Sequence, residues 1–353
     1  MGKRIIIMAG GTGGHVFPAL AVAKYLTAQG WQVSWLGTAK GLENRVIPEQ
    51  GIEMDCLSVA GFRGKGVISK VTAVFKLAKA CFEALRIFQK RKPDVVLGMG
   101  GFVAAPGGLM SSFLKLPLLI HEQNRVPGTT NRMLMKRANK VMEAFPGSFE
   151  SSVQAVFTGN PLRAEFKKLK DKQVKDKQEG EPINILVVGG SQGAQILNQI
   201  VPEALAGLSK IRVKHQTGQV MQKEVKEKYE QLSMDAEVLD FIEDMVTVYE
   251  WADLVICRAG AMTVSEVAAA GLPAVFVPLP HAIDDHQTAN ARYLSDAGAA
   301  VLLPQKDLNK DSLLDAVNTC TRQLERMSRA AKSMARPDAT ETVAGYCIKE
   351  VGA

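Results

Sequence analysis

Ile5-Ile6-Ile7-Met8-Ala9-Gly10-Gly11-Thr12-Gly13-Gly14-His15 opens on an unbroken apolar run that ends in a glycine cluster and a histidine, and a helix-like stretch from Pro18 to about Ala28 follows. β-branched residues that run on without polar alternation fit a parallel strand buried on both faces. The pattern returns at Ile183-Asn184-Ile185-Leu186-Val187-Val188, followed by Gly189-Gly190-Ser191-Gln192-Gly193 and a helix from Ala194. Strand, glycine-rich turn and helix in that order open a doubly wound nucleotide-binding unit. Two such openings in one chain predict an α/β protein of two Rossmann-like domains facing a cleft.

A length of 353 residues agrees, because it exceeds what one hydrophobic core usually organises. Further strands are legible at Val33–Leu36, Val95–Leu97, Leu118–Ile120, Arg212–His215, Leu254–Ile256 and Ala274–Val277. The polar, charged stretch from Phe166 to Pro182 reads as an exposed connector. The expected division is residues 1–162, residues 163–335, and a final helix over 336–353 that packs back on the N-terminal domain.

Hydrophobic residues make up 46% and charged residues 22% of the chain, ordinary for a globular protein. The five cysteines are scattered singly, which argues against a disulfide framework or a zinc site and for a reducing compartment. Ile5 to Met8 is too short for the core of a secretory signal, and the apolar stretch from Val267 is broken at Pro273 and Pro278. The expectation is a cytoplasmic protein that touches a membrane surface. A net charge of +7 favours anionic partners. Nucleic acid is not expected among them, since no basic-aromatic single-strand platform or helix-turn-helix pattern is evident.

Turns such as Gly10–Gly14 present backbone N–H groups at a helix N-terminus and suit phosphate. No Gly-Lys-Ser/Thr follows, so this is no P-loop, and Val16 breaks the dinucleotide fingerprint. The second strand ends Leu36-Gly37-Thr38, without the carboxylate that holds a nicotinamide ribose, which argues against a dehydrogenase. A third glycine-rich segment, Gly98-Met99-Gly100-Gly101, follows the Val95–Leu97 strand. His281, Asp284, Asp285 and His286 lack the spacing of a metal site, so no metal and no cofactor is expected. Among these residues His15 can exchange a proton near neutral pH. It is either a general base or a histidine that only shapes a helix start, and His121 with Glu122, just past the Leu118–Ile120 strand, is the rival base.

Met8-Ala9-Gly10-Gly11-Thr12-Gly13-Gly14-His15, Val95 to Gly101, His121-Glu122-Gln123-Asn124, Gly159-Asn160-Pro161-Leu162-Arg163, Gly189 to Ala194 and Ala261-Met262-Thr263-Val264-Ser265-Glu266 together resemble the MurG family. These are the UDP-N-acetylglucosamine–N-acetylmuramyl-(pentapeptide) pyrophosphoryl-undecaprenol N-acetylglucosamine transferases of bacterial cell-wall synthesis. The resemblance implies a GT-B type glycosyltransferase with an interdomain active site. It would transfer GlcNAc from UDP-GlcNAc to the C4 hydroxyl of MurNAc in lipid I, with inversion, giving lipid II. It implies an N-terminal domain for acceptor and membrane and a C-terminal domain for UDP-GlcNAc.

Against that family His15 stands as the leading candidate for the catalytic base, ahead of His121 and Glu122; Thr12, Gly13 and Gly14 would face donor sugar and acceptor, and Asn124 would bind sugar hydroxyls. Arg163 and Ser191 hold the diphosphate, and Ile242 meets uracil through its backbone. In Ala261, Met262, Thr263, Val264, Ser265 and Glu266, the glutamate takes the ribose hydroxyls, although Thr263 to Glu266 also scans as a helix cap. Gln287 reaches the donor sugar. Cell-wall synthesis proteins become possible partners, and the cytoplasmic face of the inner membrane the expected place.

Residues 63–92 carry nine Lys or Arg against the single acid Glu83. Helical spacing from Val71 to Lys90 puts Lys76, Lys79, Arg86 and Lys90 on one stripe, with Phe75 and Phe82 at its edge and Val74, Ala78 and Leu85 turned inward. Phe113 is expected to add to the patch. A basic stripe flanked by aromatic residues is the pattern of an interfacial helix on anionic lipid.

Overall fold

The computed structural model describes residues 2–59, 67–178, 180–190, 192–280 and 283–352. Two compact domains emerge: Met1–Arg163 together with Asp338–Ala353, and Ala164–Pro337.

In the N-terminal domain the described strands are β1 (Arg4–Met8), β2 (Gln32–Thr38), β3 (Glu53–Leu57), β4 (Val95–Gly98), β5 (Leu118–Glu122), β6 (Lys140–Glu143) and β7 (Val156–Phe157). They form one sheet in the order β3-β2-β1-β4-β5-β6-β7, every pair parallel. Helices α1 (Gly13–Ala28), α2 (Glu43–Glu49), α3 (Val67–Arg91), α4 (Ala104–Phe113) and α5 (Thr129–Leu134) connect the strands. Alternate residues of β1 serve opposite layers. Ile5 and Ile7 pack with Val16, Ala19 and Ala23 of α1, whereas Ile6 and Met8 pack with Ala84 and Phe88 of α3 and Ala104 of α4. A strand buried on both faces has no position for a polar residue, hence the uninterrupted apolar run. The chain returns at its end: Val343, Ala344 and Cys347 of the helix Ala339–Gly352 join the layer over α1.

The C-terminal domain holds β8 (Ile183–Val188), β9 (Ile211–Gln216), β10 (Ala236–Leu239), β11 (Leu254–Cys257), β12 (Ala274–Phe276) and β13 (Ala300–Leu302). Their order, β10-β9-β8-β11-β12-β13, repeats that of the first six strands of the other sheet, again all parallel. In both domains the strand order reverses beside the first strand, between β1 and β4 and between β8 and β11. Ligands of doubly wound sheets bind at the carboxyl ends of the strands at such a reversal. The two quoted glycine turns both lie there.

Several expectations need correction. Helix α1 begins at Gly13, five residues before Pro18, so His15 belongs to its first turn. His121 and Glu122 do not follow β5 but are its last two residues. The stretch after Phe166 is not a plain exposed connector. Phe166, Leu169 and Val174 are buried, the ring of Phe166 lies 6.0 Å from that of Tyr249, and Lys177 pairs with Asp253 at 2.9 Å. Three apolar residues spaced among many lysines suffice to seat a segment, although its composition is polar. The strands β3, β6, β7, β10 and β13 escaped the sequence reading because they are short and several lie at sheet edges, where alternation is weak.

Candidate active site

At the reversal point of the N-terminal domain the first and third glycine segments touch. Gly101 has φ +81°, and a Cβ there would lie 2.4 Å from the carbonyl oxygen of Gly10. Only glycine allows the backbones this approach. Behind the first turn sits a residue the sequence reading passed over, Glu43, which is fully buried at the start of α2. Its Oε2 accepts from the Gly11 amide at 3.0 Å, and its Oε1 accepts from the Thr38 amide at 2.9 Å and the Thr38 hydroxyl at 2.7 Å. A Cβ at Gly10 or Gly41 would collide with this carboxylate, and one at Gly37 with the Cγ of the same side chain. A carboxylate does therefore stand at the end of β2, but its acceptor capacity goes to the protein's own backbone and not to a ribose.

Thr12 is the N-cap of α1 and makes no side-chain cap bond, and Gly13 and Gly14 are the first two helical residues. The half-buried His15 faces the residue that follows β5. Its Nδ1 lies 2.7 Å from Oε1 of Gln123. Gly100, at φ +95°, leaves the ring its room, since a Cβ there would stand 2.7 Å from Nδ1. His121 lies beneath, completely buried, with Nε2 3.0 Å from the Gly159 carbonyl oxygen and Nδ1 2.9 Å from Nε2 of Gln123. Burial lowers its pKa to about 4, although the bond to Gly159 works in the opposite direction.

Glu122 is also buried. Oε1 accepts from the Asn124 amide at 3.0 Å, and Oε2 accepts from the Gly128 amide at 3.0 Å and Asn131 Nδ2 at 2.8 Å. Of the rival pair, His121 is enclosed and Glu122 organises the loop that carries Asn124. Asn124 itself is half-buried, its side chain 3.4 Å from Glu122 Oε1. Arg163 is exposed at the last position of the first segment of this domain.

The C-terminal domain has a cavity of about 720 Å³ at its own reversal point, lined among others by Gly189, Gly190, Arg258, Gly260, Thr263 and Gln287. That volume suits a small-molecule ligand. Two helix N-termini border it. The helix Gln195–Leu205 is preceded by Ala194 and the helix Ala261–Ala270 by Gly260, and neither N-cap provides a side-chain acceptor. The partial positive charge of a helix N-terminus suits an anion. Because the second helix begins at Ala261, Thr263 lies inside its first turn and is not an N-cap, which removes the capping-box reading of Thr263 and Glu266. Glu266 instead accepts from the Tyr249 hydroxyl at 3.2 Å.

Ala261 and Val264 are buried, Met262 and Thr263 are half-buried, and Ser265 donates to the Ala261 carbonyl at 3.0 Å. Ile242 is buried beside an exposed Phe241. Gln287 accepts from the Leu279 amide at 2.9 Å through its Oε1, and Ser191 and His281 lie outside the described residues. Arg258, unsuspected in sequence, donates to the carbonyls of Val277 and Pro278, both at 3.0 Å, and to Oε1 of Gln305 at 2.8 Å. It ties down the segment that leads to Gln287. Among the described residues no cluster of His, Cys, Asp and Glu could hold a metal ion.

Helix α3 turns Ala80, Ala84 and Phe88 inward, while Phe75 (72% exposed), Phe82 (53%) and Val74 (66%) face out. Val74 and Ala78 therefore join the outer face, contrary to the expected inward placing. The Arg86 guanidinium lies 4.4 Å from the Phe82 ring centroid, and Phe113 of α4 is 72% exposed. Arg63 and Lys65 fall outside the described residues, and no described helix is long and apolar enough to cross a membrane.

Residues 5–143 match the glycosyltransferase family 28 N-terminal domain and residues 184–343 the glycosyltransferase family 28 C-terminal domain. The chain is 58% identical over 358 residues to the UDP-N-acetylglucosamine–N-acetylmuramyl-(pentapeptide) pyrophosphoryl-undecaprenol N-acetylglucosamine transferase of Methylococcus capsulatus, with 100% of both chains covered. It is 47% identical to the protein of the same name from Tolumonas auensis, over 98% of this chain and 99% of the other. Among solved structures, Acinetobacter baumannii MurG superimposes with a TM-score of 0.85 at 44% identity, covering 98% of this chain and 99% of that one.

Proposed function

The chain belongs to the MurG members of glycosyltransferase family 28, and from that premise we propose how its two sites carry out transfer. It moves N-acetylglucosamine from UDP-GlcNAc to undecaprenyl-pyrophosphoryl-MurNAc-pentapeptide, the acceptor being the MurNAc C4 hydroxyl and the products lipid II and UDP. The observation that carries the reading is the pair of uncapped helix N-termini on the cavity of the C-terminal domain. They suit the diphosphate of the donor, whose charge grows as the bond from C1 to phosphate oxygen breaks. Arg163 and Ser191 add to that stabilisation, Glu266 takes the ribose hydroxyls, the Ile242 backbone reads uracil, and Gln287 and Asn124 contact the sugar.

His15 accepts the proton of the attacking hydroxyl, and Thr12, Gly13 and Gly14 line its approach. Attack at C1 from the face opposite the leaving phosphate inverts that carbon. The acceptor's polyprenyl tail lies in a bilayer, and the exposed Phe75, Phe82 and Phe113 with Lys76, Lys79 and Arg86 form the surface that meets it at the inner membrane's cytoplasmic face. Transfer with UDP-GlcNAc, UDP-GalNAc and UDP-glucose onto a short-chain lipid acceptor tests the assignment. Strong preference for UDP-GlcNAc is expected, and equal use of all three donors would defeat it.

A further inference from the structure

The chain of contacts from Gly159 to His15 has a direction. The Gly159 carbonyl can only accept, so His121 Nε2, 3.0 Å away, must carry a proton. Thr158 Oγ1, 3.2 Å from the same nitrogen, has carbonyl oxygens of its own to donate to, those of Glu143 and Gly159. In the neutral ring Nδ1 is then bare and accepts from Gln123 Nε2 at 2.9 Å. The amide cannot be turned over, because Nε2 also donates to the His121 carbonyl at 3.0 Å. Gln123 Oε1 is therefore the atom presented to His15 Nδ1 at 2.7 Å, and an amide oxygen accepts only. His15 Nδ1 must carry the proton.

We infer that Gln123 is a positioning residue that holds neutral His15 in its Nδ1–H tautomer and so leaves Nε2 as the proton-accepting atom. The inference rests on the reading of His15 as the base and adds the device that prepares it. In water a histidine ring favours the opposite tautomer, protonated at Nε2, which could not take a proton there. Two backbone carbonyls, read through His121 and the buried Gln123, impose the productive form. Gly100, having no Cβ, leaves the ring the room for this orientation. The low basicity of His121 suits this arrangement, since an imidazolium would present a proton at Nδ1 and collide with the Gln123 amide hydrogen. A carboxylate at position 123 would accept from His15 equally well, but could not donate to His121.

The test uses the full-length protein labelled with ¹⁵N-histidine, H15Q and H121N serving to assign signals. Long-range ¹H–¹⁵N spectra at pH 8 should show His15 with a protonated Nδ1 and a bare Nε2, and His121 with the reverse. Gln123→Met, similar in length but without hydrogen bonds, should shift His15 toward the Nε2–H form and lower kcat at least about tenfold, while KM for UDP-GlcNAc stays within about twofold. A wild-type His15 protonated at Nε2 overturns the inference even if Q123M does not fold. A Q123M protein that keeps both tautomer and kcat overturns it as well. An H15Q enzyme with unchanged kcat, where the wild-type protein does show the His15 Nδ1–H signal, would instead remove only the premise that His15 is the base.

Discussion

The turn at residues 9–14 and the turn at residues 189–193 follow equivalent strands of equivalent sheets, yet they are supported by different means. Behind the first stand side chains: the Glu43 carboxylate under Gly11, and the imidazole of His15 aimed at Gln123. The second interlocks with backbone. A Cβ on Gly193, at φ +74°, would lie 1.8 Å from the Thr217 carbonyl oxygen, and one on Gly218 would lie 2.2 Å from that of Gln192. The first therefore keeps the His15 imidazole beside it, and the second places Gly189, Gly190 and Gly193 on the lining of a cavity. A shared supersecondary opening does not say which copy performs chemistry. The side chains packed behind it do.

The comparison can be broken most directly at His15. H15A should lower kcat by roughly 10²- to 10⁴-fold, the range of a positioned general base, and leave KM for UDP-GlcNAc nearly unchanged. Steady-state kinetics with a short-chain acceptor decides it, and a loss under about threefold would return the first turn to a merely structural role.

Next in size is alanine in the two turns. Gly193→Ala combines left-handed strain with a backbone collision, at a cost of roughly 2–6 kcal/mol, and should weaken UDP binding. Gly11→Ala, at φ +95° with nothing within 4 Å of the new Cβ, meets the strain alone, ~1–3 kcal/mol. Equal losses in urea melts would show that the two turns are supported alike.

Both domains also bury a neutral histidine, His121 with its pKa lowered to about 4 and His215 to about 3, in each case chiefly by burial. The unfolded chain takes up these protons near pH 6.5, before the folded domains do. Stability is therefore complete above that pH and is lost as pH falls toward the folded values, at about 1.4 kcal/mol per pH unit for each group. His215→Asn should flatten the decline of the melting temperature between pH 7.5 and 5. A slope unchanged from wild type would remove His215 from the account.

The smallest effect on the fold is expected at α3. Phe75→Ser with Phe82→Ser should change stability by no more than about 0.5 kcal/mol while abolishing co-sedimentation with phosphatidylglycerol vesicles. Retained sedimentation would reject this face as the membrane contact.

Much of the architecture was legible before any coordinates. The apolar runs at Ile5–Met8 and Ile183–Val188, each closed by glycines, already imply parallel strands at the centres of two doubly wound sheets, because burial on both faces leaves a mark in every residue. The family motifs also pointed to His15 and to the helix that carries Glu266. Only the tertiary structure decided that His121 is enclosed, that Glu122 serves its own loop, and that Glu43 and Gln123 matter. Polar contacts across the fold, such as the one that joins His15 to a residue 108 positions later, have no periodicity to read. They exist only once the sheet has brought its strand ends together.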